Sequence, residues 1–150
     1  LEEWQRMMEI NVMGLMYCTH AAIPHLIRAA KDGPRGVADL VNISSVAGRV
    51  ARRGSGVYNA TKHAVGAFSE ALRQELTQEH VRVSLVEPGA VNTELGSHNR
   101  PEIQEMLKAR LGQIERMESD DIARAIAYLI LQPRHVAINE MLIRPTEQEP

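Results

Sequence analysis

Asn42-Ile43-Ser44-Ser45-Val46-Ala47-Gly48-Arg49-Val50-Ala51-Arg52-Arg53-Gly54-Ser55-Gly56-Val57-Tyr58-Asn59-Ala60-Thr61-Lys62 is the stretch on which the reading of the chain turns. It overlaps an apolar run, Val37-Ala38-Asp39-Leu40-Val41-Asn42-Ile43, of the kind that forms a buried strand. Ser44 and Ser45 then stand at the carboxyl end of a strand, which in an open parallel sheet faces the ligand crevice. Tyr58 and Lys62 lie four residues apart at the start of the helix that follows. That spacing puts the phenol and the ammonium on one helix face.

These groups suit proton transfer to or from an alcohol or carbonyl oxygen. A free phenol titrates near pH 10 by rough reference value, too high for efficient transfer at neutral pH. A fixed cation beside it favours the phenolate and moves the pKa down. The pattern predicts Tyr58 as general acid/base, Lys62 as its electrostatic partner, and Ser45 as a hydrogen-bonding group at the same substrate oxygen.

Tyr-x-x-x-Lys with a serine thirteen residues before the tyrosine resembles the active-site signature of the short-chain dehydrogenase/reductase family. The resemblance extends over essentially the whole chain. Asn11, in Ile10-Asn11-Val12-Met13-Gly14-Leu15, matches the family's fourth catalytic member, which implies a water held between Lys62 and solvent. Pro88-Gly89-Ala90-Val91-Asn92-Thr93 matches the family's P-G-x-V-x-T stretch beside the nicotinamide. The resemblance implies an NAD(P)-dependent oxidoreductase that interconverts a secondary alcohol and a carbonyl by hydride transfer. It implies cofactor contacts from Tyr58, Lys62, Pro88, Gly89, Val91 and Thr93, with NADP slightly ahead of NAD. Substrate contacts are expected from Ser45, Val46 and Tyr58, with Ala47 also walling the pocket.

Bulk properties narrow the alternatives. The chain has 150 residues, with 17 basic and 19 acidic side chains, so neither nucleic acid nor an anionic membrane is suggested as partner. No apolar run approaches the roughly 20 residues of a membrane span. Leu1-Glu2-Glu3-Trp4 lacks the basic start and apolar core of a secretory leader. Cys18 is the single cysteine, which suits a reducing, cytoplasmic setting. Cys18, His20 and His25 fit no zinc spacing, so no metal is expected.

Outward from the central stretch, Trp4, Met8, Val12, Leu15, Thr19, Ala22 and Leu26 form one stripe of a helix running to about Ala30, with Pro24 bending it. Lys31 to Gly36 reads as a polar turn. Arg49, Arg52 and Arg53 read as a solvated charge cluster, and Gly54-Ser55-Gly56 is rejected as a phosphate loop because it does not follow a strand. A second helix, 57–79, carries Ala60, Ala64, Ala67 and Ala71 on one side and Val65, Phe68, Leu72 and Leu76 on another. By resemblance, the 1–30 and 57–79 helices join subunits into a homodimer or homotetramer.

Val81 to Val86 is predicted as a strand ended by Glu87-Pro88-Gly89. Pro101 opens a short, lid-like helix ended by Gly112, near which Glu94 and His98 could reach substrate. Ser119 is expected to cap the next helix, and 136–143 to form the last strand before a frayed tail from Thr146.

The order of elements gives an α/β chain, half of a doubly wound, Rossmann-type three-layer sheet with parallel strands. The Gly-rich turn and N-A-G stretch that the family carries upstream do not occur in this sequence. Residues 1–150 are therefore read as one partial domain, the C-terminal portion of an enzyme and inactive when isolated. The alternative is a non-catalytic fragment acting as a binding module. A serine hydrolase built on Ser45 lacks G-x-S-x-G and an evident His/Asp pairing.

Overall fold

Three parallel strands carry the architecture: β1 (Ala38–Ile43), β2 (Val81–Pro88) and β3 (Glu140–Ile143), in the order β1-β2-β3. The computed structural model describes residues 1–149, the side chain of His98 excepted. β2 lies opposite β1 from Ala38–Val81 to Ile43–Val86, and Leu85 lies opposite Glu140. Val81 to Glu87 are all buried. A central parallel strand is covered on both faces, so its sequence need not alternate polar and apolar.

The helices are α1 (Glu2–Met8), α2 (Leu15–Asp32), α3 (Gly56–Leu76), α4 (Pro101–Leu111) and α5 (Ser119–Ile130). Ala30 of α2 and Leu72 and Leu76 of α3 cluster with Ala38, Val81 and Val83, so both helices cover one face of the sheet. Alternate strand residues point the other way. There Asp39 and Arg82 meet the end of α5, where the Ile130 carbonyl accepts from Arg82 Nη2 at 3.0 Å. The result is a parallel sheet flanked by helices, a partial Rossmann-type three-layer fold.

Several sequence expectations need correction. The first helix continues to Asp32 but is interrupted by a π-helical segment at Glu9–Gly14, where the hydrogen bonds span an extra residue. Its apolar stripe is only partly used: Val12 and Thr19 are buried, whereas Trp4 and Met8 are exposed. α3 stops at Leu76, and a tight turn (Thr77–Glu79) leads to His80 in the left-handed region at φ 57°.

Its two apolar faces also differ: Val65, Leu72 and Leu76 are buried, while Ala60, Ala67 and Ala71 are exposed. Glu118, not Ser119, caps α5. Its backbone carbonyl accepts from the Asp121 N–H at 3.0 Å while its own N–H donates to Asp121 Oδ2 at 2.7 Å, the returning half of a capping box. The last strand is shorter than expected: it begins at Glu140, and the Val136 carbonyl accepts from the Arg82 guanidinium at 2.6 Å. Nor is the tail simply frayed, since Gln148 Oε1 accepts from the Ala90 N–H at 2.8 Å.

Candidate active site

The carboxyl ends of β1 and β2 and the first turns of α3 converge on Ser45, Tyr58 and Lys62. The two serines part company at the strand end. Ser44 is buried and donates to the Lys62 carbonyl at 3.1 Å, a structural tie. Ser45 is the N-cap of a tight turn, Val46–Gly48; its Oγ accepts from the Ala47 N–H at 3.1 Å and lies 3.4 Å from the Pro88 carbonyl. The serine hydroxyl is thus fixed between its own turn and the end of β2.

Gly48 explains how closely this turn approaches the helix. A Cβ there would lie 2.6 Å from Ser44 Oγ and 2.9 Å from the Lys62 carbonyl oxygen, and the latter cannot easily give. Only glycine allows the turn to rest against the backbone that carries Lys62.

Tyr58 and Lys62 share one face of α3, with Lys62 Nζ 5.8 Å from the centroid of the phenol ring. That ammonium donates to the Ile43 carbonyl at 3.1 Å. The phenol is pushed above its ordinary pKa by burial, opposed by an interaction with the Ser45 hydroxyl that pulls it down. Burial pushes the Lys62 ammonium below its ordinary value. Here the sequence expectation is corrected: desolvation dominates both groups and drives each toward its neutral form. The group that favours the phenolate is Ser45, while Lys62 lies over the ring and is anchored to β1.

Asn11 sits in the π-helical segment and its Nδ2 donates to Thr61 Oγ1 at 3.3 Å. Thr61 is fully buried and its hydroxyl donates to the Tyr58 carbonyl at 2.8 Å. Asn11 therefore reaches the helix between Tyr58 and Lys62, although it belongs to a distant part of the chain.

Pro88, Gly89, Val91 and Thr93 follow directly from β2. The Gly89 N–H donates to the Ile143 carbonyl at 2.7 Å, and a Cβ on Gly89 would meet Gln148 Oε1 at 2.3 Å. Val91 bridges in parallel to Met117, with the Asn92 N–H 2.8 Å from the Met117 carbonyl. Thr93 is exposed and opens the tight turn Glu94–His98. Glu94 is exposed; the His98 side chain lies outside the described residues. α4 lies near the loop before Tyr58, since a Cβ on Gly54 would sit 3.4 Å from Met106 Sδ.

The arginine cluster is not uniformly solvated. Arg49 Nε donates to buried Glu87 at 2.6 Å and the same guanidinium pairs with Glu140. Both carboxylates, Glu87 first, hold Arg49 protonated. Val46 lines a small pocket of about 130 Å³ with Arg49, Arg52, Leu142 and Arg144. Among the described residues no three His, Cys, Asp or Glu side chains are grouped to hold a metal ion, and Cys18 is exposed. No helix among them is long and apolar enough to cross a membrane.

Asn59, Glu87 and Gly48 did not stand out in the sequence. Asn59 follows Tyr58 directly and was legible only as a polar residue in a first turn. It is buried, and all four hydrogen-bonding positions of its amide are used within the Ser45 loop and at the helix entry.

The chain as a whole is similar to several known proteins. An uncharacterised oxidoreductase of Staphylococcus saprophyticus is 38% identical over 154 residues, an alignment covering 98% of this chain and 58% of that protein. The closed form of a serine dehydrogenase complexed with NADP+ superposes with a TM-score of 0.87 at 30% identity, covering 99% of this chain and 58% of the other. An alcohol dehydrogenase from the archaeon Thermococcus sibiricus, complexed with 5-hydroxy-NADP, gives a TM-score of 0.79 at 25% identity over 99% of this chain and 56% of the other. The chain thus spans little more than half the length of the relatives it matches. Residues 1–104 match the family described as short chain dehydrogenase. The chain belongs to that family.

Proposed function

We propose that the protein is an NAD(P)-dependent oxidoreductase interconverting a secondary alcohol and a carbonyl, with Tyr58 as general acid/base. What carries the reading is the convergence of the Ser45 turn at the end of β1 with the half-buried Tyr58 phenol, under an ammonium from the next turn of the same helix. A bound nicotinamide would supply or accept the hydride. Lys62 suits such a ligand: its ammonium has three donors, and its recorded acceptor is the Ile43 carbonyl. Pro88, Gly89, Val91 and Thr93 would contact the cofactor with Tyr58 and Lys62. The relatives with bound cofactor carry NADP+ or 5-hydroxy-NADP in two cases and NADH in others, which favours neither form.

In the reductive direction Tyr58 gives its phenolic proton to the carbonyl oxygen as the carbon takes hydride; oxidation runs the reverse. Ser45 orients that oxygen, and a cationic Lys62 stabilises the phenolate left behind. Asn11, tied through Thr61 to the Tyr58 turn, supports the water relay that recharges the phenol. Val46 and Ala47 border the substrate.

A small hydroxylated acid is the favoured substrate class, because Arg52 and Arg144 against the single carboxylate of Glu149 line the pocket beside Val46 and the similar structures include a serine dehydrogenase.

In this reading residues 1–150 are one partial domain, the C-terminal portion of the family's fold, as the order of the Asn11, Ser45, Tyr58 and P-G-x-V-x-T motifs suggests. The apolar groove lined by Trp4, Met8, Val57 and Ala60, about 430 Å³, suits a homodimer or homotetramer contact.

The test is NAD(P)H turnover by the protein as encoded, at full length, with small hydroxy acids and simple alcohols. Tyr58→Phe should lower kcat by about 10²–10⁴-fold. An unaltered rate in Tyr58→Phe would remove the proton-transfer role. Cofactor binding without turnover of any substrate, in a protein with all four residues intact, would favour the binding-module alternative.

A further inference from the structure

Asn59 is chemically idle in the mechanism above, yet it is the most completely engaged polar side chain near it. Its Nδ2 donates to the carbonyls of Ala47 at 2.8 Å and Val50 at 3.0 Å. Its Oδ1 accepts from the Arg52 N–H at 3.2 Å and from the Ser55 hydroxyl at 2.9 Å. An amide has two donor hydrogens and two acceptor lone pairs, so every one is used. The residue is 3% exposed, where an unmatched polar atom would bear its full desolvation cost.

Its targets are specific. Ala47 is the residue whose N–H donates to Ser45 Oγ, and Asn59 is the neighbour of Tyr58 on α3. One amide therefore grips the turn that fixes the serine hydroxyl while standing on the turn that carries the phenol. We infer that Asn59 is a positioning residue that sets the Ser45 hydroxyl against the Tyr58 phenol. It acts by holding the Ala47 carbonyl, and through the Ala47 Cα the preceding peptide, whose N–H anchors Ser45 Oγ.

The inference rests on the assignment of Tyr58 as general acid/base, and it makes a claim that loop stability alone does not. Ser45 is the group that draws the phenol's pKa down against the effect of burial. Letting the Ala47 turn relax should release Ser45 from the phenol and allow that pKa to rise. A loop that merely unfolds more often lowers the active fraction without moving the pH dependence of the molecules that remain folded.

The experiment uses the full-length protein with Asn59→Asp, which keeps the acceptors and loses both donors, and Asn59→Ser, which is smaller. Each is compared with Ser45→Ala and with the double variant Ser45→Ala/Asn59→Ser. The pH profile of kcat is measured for each, with the ultraviolet titration of the Tyr58 phenol, taken against Tyr58→Phe, as a readout free of turnover. The expected result is kcat lower by about 10²-fold, the scale of a misplacement of about 1 Å, with cofactor Kd unchanged. The phenol titration should move to higher pH as in Ser45→Ala, and the double variant should move no further.

A normal phenol titration in both Asn59 variants, alongside a shifted one in Ser45→Ala, overturns the inference. So does the failure of both Asn59 variants to fold, which would assign the residue to the fold alone. Full activity in Tyr58→Phe would instead sink the proton-transfer reading itself, a different outcome.

Discussion

The two ends of the sheet each bury a carboxylate against an arginine, and they do it differently. At the amino-terminal end, Arg82 and Asp39 have side chains only 7% and 8% exposed, joined at 2.7 Å. The rest of that guanidinium is taken up by the carbonyls of Ile130, Gln132, Pro133 and Val136. Arg35 closes the remaining Asp39 oxygen at 3.1 Å. This cluster fastens β1, β2 and the approach to β3 to the end of α5, and every nitrogen of the Arg82 guanidinium has a protein acceptor. At the carboxyl end, Glu87 is as deeply buried, but its partner Arg49 is 40% exposed and shared with Glu140. That pair ties the Ser45 loop to β2 and β3 beside the candidate site. A closed cluster holds the fold; an open one holds a loop that has to accept ligand.

The comparison can be broken by substitution. Arg82→Met leaves Asp39 buried with only the half-exposed Arg35 and takes the guanidinium from four carbonyls, of which Ile130 keeps Arg35 Nη2 and Pro133 keeps the Val136 N–H. It should cost roughly 3–5 kcal/mol, the range for breaking a buried pair, with the kcat of the folded fraction unchanged. Denaturant unfolding and active-site-normalised rates would check this; a loss below about 1 kcal/mol would mean the cluster is not a fastening.

Glu87→Gln keeps shape and volume and removes one charge. Because Arg49 retains Glu140 and water, the loss should be smaller, about 1–3 kcal/mol, and should come with a raised KM as the loop loosens. Equal losses at the two ends would erase the distinction drawn above.

Glu70 and Arg73 supply the exposed limit. Arg73, then Gln74, hold the Glu70 carboxyl at about 2, below the ordinary carboxylate range, although the group is fully exposed. A carboxyl with a lowered folded pKa contributes stability above its unfolded pKa and loses it as pH falls toward the folded value. Glu70→Gln should therefore lower stability only slightly at neutral pH, since the exposed pair is screened, and flatten the acid limb by the same small amount between the ordinary carboxylate range and about pH 2. A clear drop in stability at pH 7 would show that exposure does not weaken ion pairs on this surface.

Sequence reading reached the site further than it reached the scaffold around it. Ser45, Tyr58 and Lys62 could be named because strand ends and helical turns impose fixed spacings, and the strand register and α3 supply those spacings here. Asn11 could be named only through family likeness, since nothing local predicts that a residue fifty positions before Thr61 will donate to it. The expected lowering of the Tyr58 pKa gives way to a net rise because sequence gives proximity but not burial, and burial decides the direction here. Glu118 replaced Ser119 as the cap because capping depends on which side chain folds back, and here Asp121 does so onto the Glu118 N–H.

By itself the sequence determined the periodicities: an apolar run too short for a helix, a four-residue step that aligns phenol and ammonium, and a Pro-Gly stop after a buried strand. Those are properties of neighbours along a chain, governed by backbone geometry that every residue shares. Only the tertiary structure decided which polar groups are buried and by whom they are met. Asn59 on Ala47, Arg49 on Glu87 and Arg82 on Asp39 are contacts across 12, 38 and 43 residues. Desolvation makes each of them obligatory once the fold has brought them inside, and no local pattern records it.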